Sequence, residues 1–176
     1  TSYMPDPNIG SKIHFQNMIE QSILAEKLGY KTVSIPEHHL INLLMMPSPL
    51  QMAVKIASLT KNISVSTSVA VLPLHDMRTY AGEVSTADIL TDGRLILGVA
   101  RGAFPWEMER LGTPIEKSKE KFIESLEVLQ KLLAEEEVSY KGKYYNFDAL
   151  TIMPRPITQP VPIMIAAMDP KSIKNA

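Results

Sequence analysis

The sequence contains no cysteine, and no stretch of it reaches the roughly 18 consecutive apolar residues that are needed to cross a bilayer. The lack of cysteine excludes disulfide frameworks, thiolate zinc sites, iron–sulfur clusters and cysteine nucleophiles. An excess of one charge is also missing, because 18 basic and 19 acidic residues leave a formal net charge of −1. Nucleic-acid binders normally carry a basic excess or stripe, so neither nucleic acid nor a membrane is expected as a partner.

The remaining composition is that of a globular domain, with 45% hydrophobic and 21% charged residues in 176. The absence of cysteine fits a reducing compartment, and we expect a cytoplasmic location. The N-terminus lacks the basic and apolar regions of a secretory signal. There is no initial methionine, and the last residues have the pattern of a helix start, so we expect the chain to be part of a longer one.

Four short runs rich in valine and isoleucine predict β-strands, and helical periodicity fills the spaces between them. Strands are expected at residues 32–35, 63–72, 95–99 and 162–167, and helices at 12–28, 47–60, 76–90 and 114–137. The first three strands begin about thirty residues apart, which is the length of one βα unit. A β-hairpin is predicted near residues 138–147, where Lys141, Gly142 and Lys143 form the turn.

Strands and helices alternating at this period fit two folds, a doubly wound open sheet or a (βα)8 barrel. A dinucleotide-binding sheet should carry a glycine-rich turn after its first strand, and no GxGxxG pattern is present. A complete barrel takes about 250 residues. The barrel interpretation therefore makes this chain an incomplete portion, from about the first helix to the fifth strand.

In either fold, ligands bind at the carboxyl ends of the strands, so the residues that follow each strand form the candidate site. Glu37, His38 and His39 follow the first strand. One of these imidazoles can act as an acid or base near neutral pH, the alternative being a hydrogen-bonded strand end. A metal is less favoured by adjacent histidines than by a helical i, i+4 pair, and no metal site is predicted. Asp76, beside His75, is expected to cap the following helix.

The end of the third strand carries Arg101, which can hold a phosphate or carboxylate with two parallel hydrogen bonds. The alternative is a salt bridge from Arg101 to Glu107 or Glu109. Small polar side chains late in the second strand, from Ser64 to Ser68, would let a flat ligand approach the backbone.

Several blocks resemble, in order and spacing, those of the bacterial luciferase-like flavin-dependent monooxygenases. They are Glu37-His38-His39, Val71-Leu72-Pro73-Leu74-His75, Asp92-Gly93-Arg94-Leu95, Gly98-Val99-Ala100-Arg101-Gly102 and Glu109-Arg110-Leu111-Gly112. The resemblance implies a (βα)8 TIM barrel of about twice this length, to which the chain contributes one partial domain over residues 1–176. It also implies an enzyme that oxidises a small organic substrate, such as an aldehyde, with O2 and with reduced FMN from a separate reductase. The alternatives are an F420-dependent hydride-transfer oxidoreductase and a non-catalytic flavin-binding protein.

The resemblance also implies roles for individual residues. His38 is expected to be catalytic, as an acid or base or as a hydrogen-bond donor. The expected cofactor-binding residues are Glu37, His39, Ser68, Val69, Ala100, Arg101, Ala167, Met168 and Asp169. Among these, Arg101 would contact the flavin phosphate, and a cis peptide bond between Ser68 and Val69 would lie against the ring.

Two positions depart from the family pattern, because Asp169 replaces a small hydroxyl residue and Ala100 replaces a reactive cysteine. The apolar loop of residues 40–46 is expected to line a substrate pocket, and a concealed gap in the sequence is expected near residues 42–46. Dimerisation through the helices near residues 47–60 and 76–90 is common in the family, so a homodimer is expected.

Overall fold

The structure, a computed structural model, describes residue 8 and residues 10–41 and 45–167. The helices in this part of the chain are α1 (Ser11–Lys27), α2 (Pro49–Ala57), α3 (Met77–Leu90), α4 (Pro105–Arg110) and α5 (Ile115–Ala134). The strands are β1 (Thr32–Ile35), β2 (Ser64–Thr67), β3 (Ala70–Val71), β4 (Leu95–Ala100), β5 (Val138–Lys141), β6 (Asn146–Leu150) and β7 (Ile163–Ile165). The predicted helices, strands and hairpin are all present, with ends shifted by a few residues.

The main sheet is parallel throughout, and its strands lie side by side in chain order. β1 pairs with β2, β2 and β3 pair with the first and last parts of β4, and β7 also pairs with β4. A doubly wound sheet would reverse its strand order at a switch point. The order here is instead that of a portion of a (βα)8 barrel wall, which confirms the predicted fold class.

The second predicted strand, residues 63–72, is divided into β2 and β3. Ser68 and Val69 lie between the two parts, and the peptide bond that joins them is cis, as the family resemblance implies. The amide of Ser68 donates a hydrogen bond of 2.6 Å to the carbonyl of Ile35 at the end of β1. β3 then continues along β4 and ends at a 3₁₀ turn, Leu72–Leu74.

The helices α2 and α3 pack against the sheet and against each other, and α5 packs against α3 and the 3₁₀ turn. Buried side chains of all three helices belong to the hydrophobic core. Apolar periodicity predicts an inner face of α1 made of Ile13, Met18, Ile19, Ile23 and Leu24. Met18 is buried and Ile19 and Ile23 are half-buried, but Ile13 and Leu24 are 50% and 53% exposed, and the polar residues His14 and Ser22 are buried instead. The helix α4 was not predicted. It begins at Pro105, a residue well suited to the first turn of a helix, and is only six residues long.

The predicted hairpin consists of β5 and β6, an antiparallel pair that packs beside α5. Its turn is held by the carboxylate of Glu124 on α5, which accepts hydrogen bonds from the amides of Lys143, Tyr144 and Tyr145 at 2.8–3.1 Å. In the described part of the chain, none of the helices has the length and apolar character to cross a membrane.

Two glycines offer a matched test of how tightly β2 and β4 pack. A methyl group added at Gly98 in β4 would overlap the backbone carbonyl of Thr67, whereas one added at Gly82 in α3 would meet only the Met153 carbonyl oxygen at 3.7 Å. We expect Gly98→Ala to lower the free energy of unfolding by about 3 kcal/mol or more, because backbone cannot move aside cheaply. Gly82→Ala should raise it by about 1 kcal/mol, since alanine is the better helix former. Urea unfolding of both variants checks this, and equal effects would contradict the described packing.

Candidate active site

Two buried carboxylates organise the carboxyl end of the sheet. Glu37 follows β1, Glu107 lies in the first turn of α4 after β4, and each is only 2% exposed. The two carboxylates meet different imidazole rings, since Glu37 contacts the ring of His39 and Glu107 contacts the ring of His38. The predicted block of one acid and two histidines is therefore held from two sides.

The carboxylate of Glu37 accepts three hydrogen bonds. Its Oε1 accepts from the Nε2 atoms of His39 at 2.6 Å and His75 at 2.7 Å. Its Oε2 accepts from the amide of Val71 in β3 at 3.0 Å. The ring of His75 also stacks on that of Tyr80, with the ring centres 4.3 Å apart. Glu37 thus joins the loop after β1 to the segment that leads into α3.

The electrostatics of this cluster are set by competition between burial and hydrogen bonding. Burial raises the pKa of Glu37, but hydrogen bonds from His39 and His75, the charge of His75 and the Val71 amide outweigh it and bring the pKa to about 2. The hydrogen bond to Glu37 raises the pKa of His39 above its ordinary value, against the opposing effect of burial. The carboxylate is therefore charged, and protonation of its histidine partner is favoured.

His38 points away from this cluster, as expected for neighbouring residues at a strand end. Its Nδ1 lies 3.4 Å from Oε2 of Glu107, and its ring meets that of Phe104 edge to face, with the ring centres 5.1 Å apart. The other oxygen of Glu107 accepts a short hydrogen bond from the amide of His39. The amide of His38 donates to the carbonyl of Met46 at 2.9 Å, which fixes the strand end.

The donor set of Glu37, His39 and His75 is one that could also hold a divalent cation. One ligand atom from each residue lies within 4.8 Å of the others, and two histidines with one carboxylate form a familiar set for zinc or iron. Each of these atoms is already used in a hydrogen bond, however. These hydrogen bonds would have to be given up for an ion to bind the three residues.

A second group of predicted residues lies along the strand ends. Ser68 is exposed, and Val69, Ala100 and Ala167 are half-buried, so small side chains lie where β2, β4 and β7 end. Arg101 directly follows β4, is exposed, and makes no ion pair with any described residue. A flat ring with a phosphate fits this arrangement, because small side chains allow close approach and Arg101 is free to bind an anion.

Some sequence expectations on site residues need correction or lie outside the described residues. The salt bridge from Arg101 to Glu107 is not formed, since Glu107 contacts His38 and His39 instead. Met168 and Asp169 lie outside the described residues, as do residues 42–44 of the apolar loop, where the sequence gap was expected.

Sequence reasoning missed the place of His75 and Glu107 in the site. Asp76 does cap α3, accepting from the amide of Arg78 at 3.0 Å as predicted, but its neighbour His75 belongs to the Glu37 cluster. An acidic residue just after a proline-initiated turn that follows a strand was the available signal for Glu107. No local pattern shows that Glu107 contacts His38 and His39, which lie 69 and 68 positions earlier in the sequence.

The Glu37 cluster predicts how stability depends on pH. Because the pKa of Glu37 is lowered, its stabilisation, on the order of 3 kcal/mol, is present above about pH 4.5 and lost as the pH falls towards 2. Because the pKa of His39 is raised, its contribution is present below about pH 6.5 and lost as the pH rises through the higher folded value. Urea unfolding of the purified protein should therefore show that the cluster stabilises the fold most between about pH 4.5 and pH 6.5.

The variant Glu37→Gln should have a lower free energy of unfolding at pH 5.5. Its stability should also change less with pH on both the acid and the alkaline side, because a neutral amide cannot balance the charge of the protonated histidines. Glu136→Gln, at an exposed position between α5 and β5, is the matched control. Identical pH dependence in the two variants would contradict the role given to Glu37.

The hydrogen-bonded state of the cluster also predicts its response to chelators. Excess EDTA should leave the Tm unchanged, because protons satisfy every donor and acceptor named above. Metal analysis of the purified protein by mass spectrometry provides the second measurement. The contrary result would be one equivalent of zinc or iron that EDTA removes, with a fall in Tm, and that is absent from the His39→Gln variant. That result would show that a metal holds the cluster.

Comparison with curated proteins finds relatives that match nearly all of this chain. It is 36% identical over 162 residues to the uncharacterized protein y4vJ of Sinorhizobium fredii, covering 92% of the chain and 46% of that protein. It is 31% identical to the oxygenase component of the flavin-dependent trigonelline monooxygenase of Acinetobacter baylyi, and the match covers 90% of this chain and 44% of that protein. It is 30% identical to the F420-dependent glucose-6-phosphate dehydrogenase of Amycolatopsis mediterranei, and the match covers 92% of this chain and 50% of that protein. The chain thus spans about half the length of the curated relatives it matches.

Solved structures match the fold over the same extent. Monooxygenase RslO1 from Streptomyces bottropensis superposes with a TM-score of 0.93 at 26% identity, covering 99% of this chain and 54% of that one. The FMN complex of the oxygenating constituent of 3,6-diketocamphane monooxygenase from Pseudomonas putida gives a TM-score of 0.82 at 22% identity, covering 93% and 48%. The family model for luciferase-like monooxygenases matches residues 2–176. On this evidence, the chain belongs to the luciferase-like monooxygenase family.

Proposed function

We propose that the protein is a flavin-dependent monooxygenase that uses reduced FMN and O2 to oxidise a small organic substrate. The observation that carries this proposal is the arrangement at the strand ends, where His38 is held by one carboxylate while His39 and His75 are held by another. This leaves one histidine of the block, His38, outside the Glu37 cluster at the carboxyl edge of the sheet. The similarity to an oxygenase component of a two-component enzyme supports the same function.

Reduced FMN, when bound, supplies the electrons that activate O2. The residues of this chain that would hold it are Ser68, Val69 and Ala100 beneath the ring and Arg101 at the phosphate. Ala167 follows β7 at the same edge. Met168 and Asp169 are proposed to contribute to the phosphate end on the basis of the family resemblance alone.

His38 is proposed as the catalytic residue, with Glu37 and His39 lining the same pocket. With Nδ1 facing Glu107, its Nε2 is the atom that can give or take a proton in the pocket. Phe104 packs on the ring of His38, and Leu40, which is 63% exposed, follows the two histidines. These apolar side chains would exclude water from the reacting atoms and favour an apolar substrate.

The partners and location follow from the same proposal. Reduced flavin would come from a separate reductase, as the designation of the Acinetobacter relative as an oxygenase component suggests. We also propose a homodimer that forms through α2 and α3, where Leu59 and Leu90 are 44% and 56% exposed near the helix ends. A cytoplasmic location is part of the proposal and fits the absence of cysteine.

A second candidate is an F420-dependent oxidoreductase that transfers hydride without O2. It is favoured by the 30% identity to an F420-dependent dehydrogenase over 92% of this chain. Titration of the purified protein with reduced FMN and with F420, each followed by fluorescence and by O2 consumption, separates the two. Binding of F420 without binding of reduced FMN or O2 uptake would overturn the first candidate, and binding of neither would support a protein without flavin chemistry.

The proposed role of His38 predicts a large loss of turnover in His38→Gln. General acid or base catalysis by a positioned side chain contributes about 10²–10⁴-fold, so the rate of substrate-dependent O2 uptake with reduced FMN should fall by about that factor. His14→Gln is the control, because His14 lies on α1, is buried, and has its Nε2 unpartnered among the described residues. Unchanged turnover in His38→Gln, with reduced FMN still bound, would show that His38 is not catalytic.

A further inference from the structure

The carboxylate of Glu107 is buried and has few described partners. Its side chain is 3% exposed, and its described contacts are the amide of His39 at Oε1 and Nδ1 of His38 at Oε2. A charged carboxylate has about four acceptor positions, and burial without hydrogen bonds is costly. Oε2 therefore requires a proton donor, and among the described residues the ring of His38 is the group that offers one.

This requirement determines which nitrogen of His38 carries hydrogen. An ionised carboxylate only accepts, so the ring atom that faces it, Nδ1, must be the protonated one. The neutral ring then presents Nε2 to the pocket as an acceptor. His39 has the reverse arrangement, because its Nε2 donates to Glu37. Two adjacent histidines are thus fixed through opposite ring nitrogens by two different acids.

The support beneath Glu107 is rigid. The next residue, Met108, is fully buried, and its carbonyl accepts from the amide of Thr113 at 2.9 Å. Gly102 lies directly against Met108, and an added Cβ at that glycine would overlap the methionine sulfur. The first turn of α4 is therefore locked between the end of β4 and the start of α5. A carboxylate on such a support can hold an imidazole in one orientation.

We propose that Glu107 is a positioning residue for His38, which fixes its Nδ1–H form and directs Nε2 into the pocket. The proposal deepens the proposed function, since a role for His38 in oxidation depends on that function. Glu107 itself is not proposed to contact substrate or cofactor. Its effect is transmitted through the orientation and protonated nitrogen of one ring.

The test reads the ring directly by nitrogen-15 NMR of the histidine side chains. In the unmodified protein, His38 should be in the Nδ1–H form when neutral. In Glu107→Gln, the amide oxygen remains the acceptor for the His39 amide, so its NH2 group faces His38 and the ring should change to the Nε2–H form. Glu107→Asp keeps the charge and should keep the Nδ1–H form. Glu109→Gln, at an exposed position on the same helix, should leave the spectrum unchanged.

Turnover provides the second readout. With reduced FMN and O2, Glu107→Gln should lower kcat about 10–100-fold with little change in KM, as for other residues that orient a reacting histidine. Glu107→Asp should recover part of this loss, and Glu109→Gln should show none. Equal losses of kcat in Glu107→Gln and Glu109→Gln would overturn the proposal.

The two readouts keep this inference separate from the proposed function. An Nε2–H ring in the unmodified protein overturns the positioning role whatever the activity, and that measurement remains decisive even if Glu107→Gln does not fold. An Nδ1–H ring that changes in Glu107→Gln, in a protein without flavin-dependent O2 uptake, supports the positioning role and overturns the proposed function alone.

Discussion

The carboxylate of Glu37 is the group on which the carboxyl end of the sheet depends. It is buried and charged, and it binds His39 after β1, the amide of Val71 in β3, and His75 before α3. Breaking such a buried set by removing one partner leaves an uncompensated charge, which is far more costly than any exposed ion pair. The loops after β1 and β3 are consequently held in one arrangement, and the remaining site residues are placed relative to it.

The fixed position of His39 has a consequence for its neighbour. Because His39 turns towards Glu37, His38 must turn the other way, towards Glu107 and Phe104. The short hydrogen bond from the His39 amide to Glu107 links the two carboxylates through a single residue. The two histidines of the block therefore have different contacts, one bound to Glu37 and one facing Glu107.

The fold was predictable from the sequence because its signals are local. Continuous apolar runs mark the buried parallel strands, and spacing of about thirty residues marks the βα units. Prediction was incomplete where the outcome depends on tertiary packing. Apolar periodicity predicts correctly that Met18 in α1 is buried, but it gives no sign that His14 and Ser22 are buried beside it. The helix α4 is too short to show a period. The cis bond at Ser68–Val69 was expected from the family resemblance and from no property of those two residues.

The site was predictable only in part for the same reason. Residues directly after strands were found from position alone, and the opposite orientation of His38 and His39 followed from strand geometry. The partners Glu107 and His75 are brought in from distant parts of the chain by the parallel sheet, and no local pattern shows those contacts.

A crystal structure of the protein with reduced FMN bound would test the proposed site most directly. We expect the ring to lie over Ser68 and Val69 with its phosphate at Arg101, and Nε2 of His38 to face the ring while Nδ1 stays on Glu107. A flavin bound at another face of the sheet, or a His38 ring turned away from the pocket in that complex, would contradict the proposed active site.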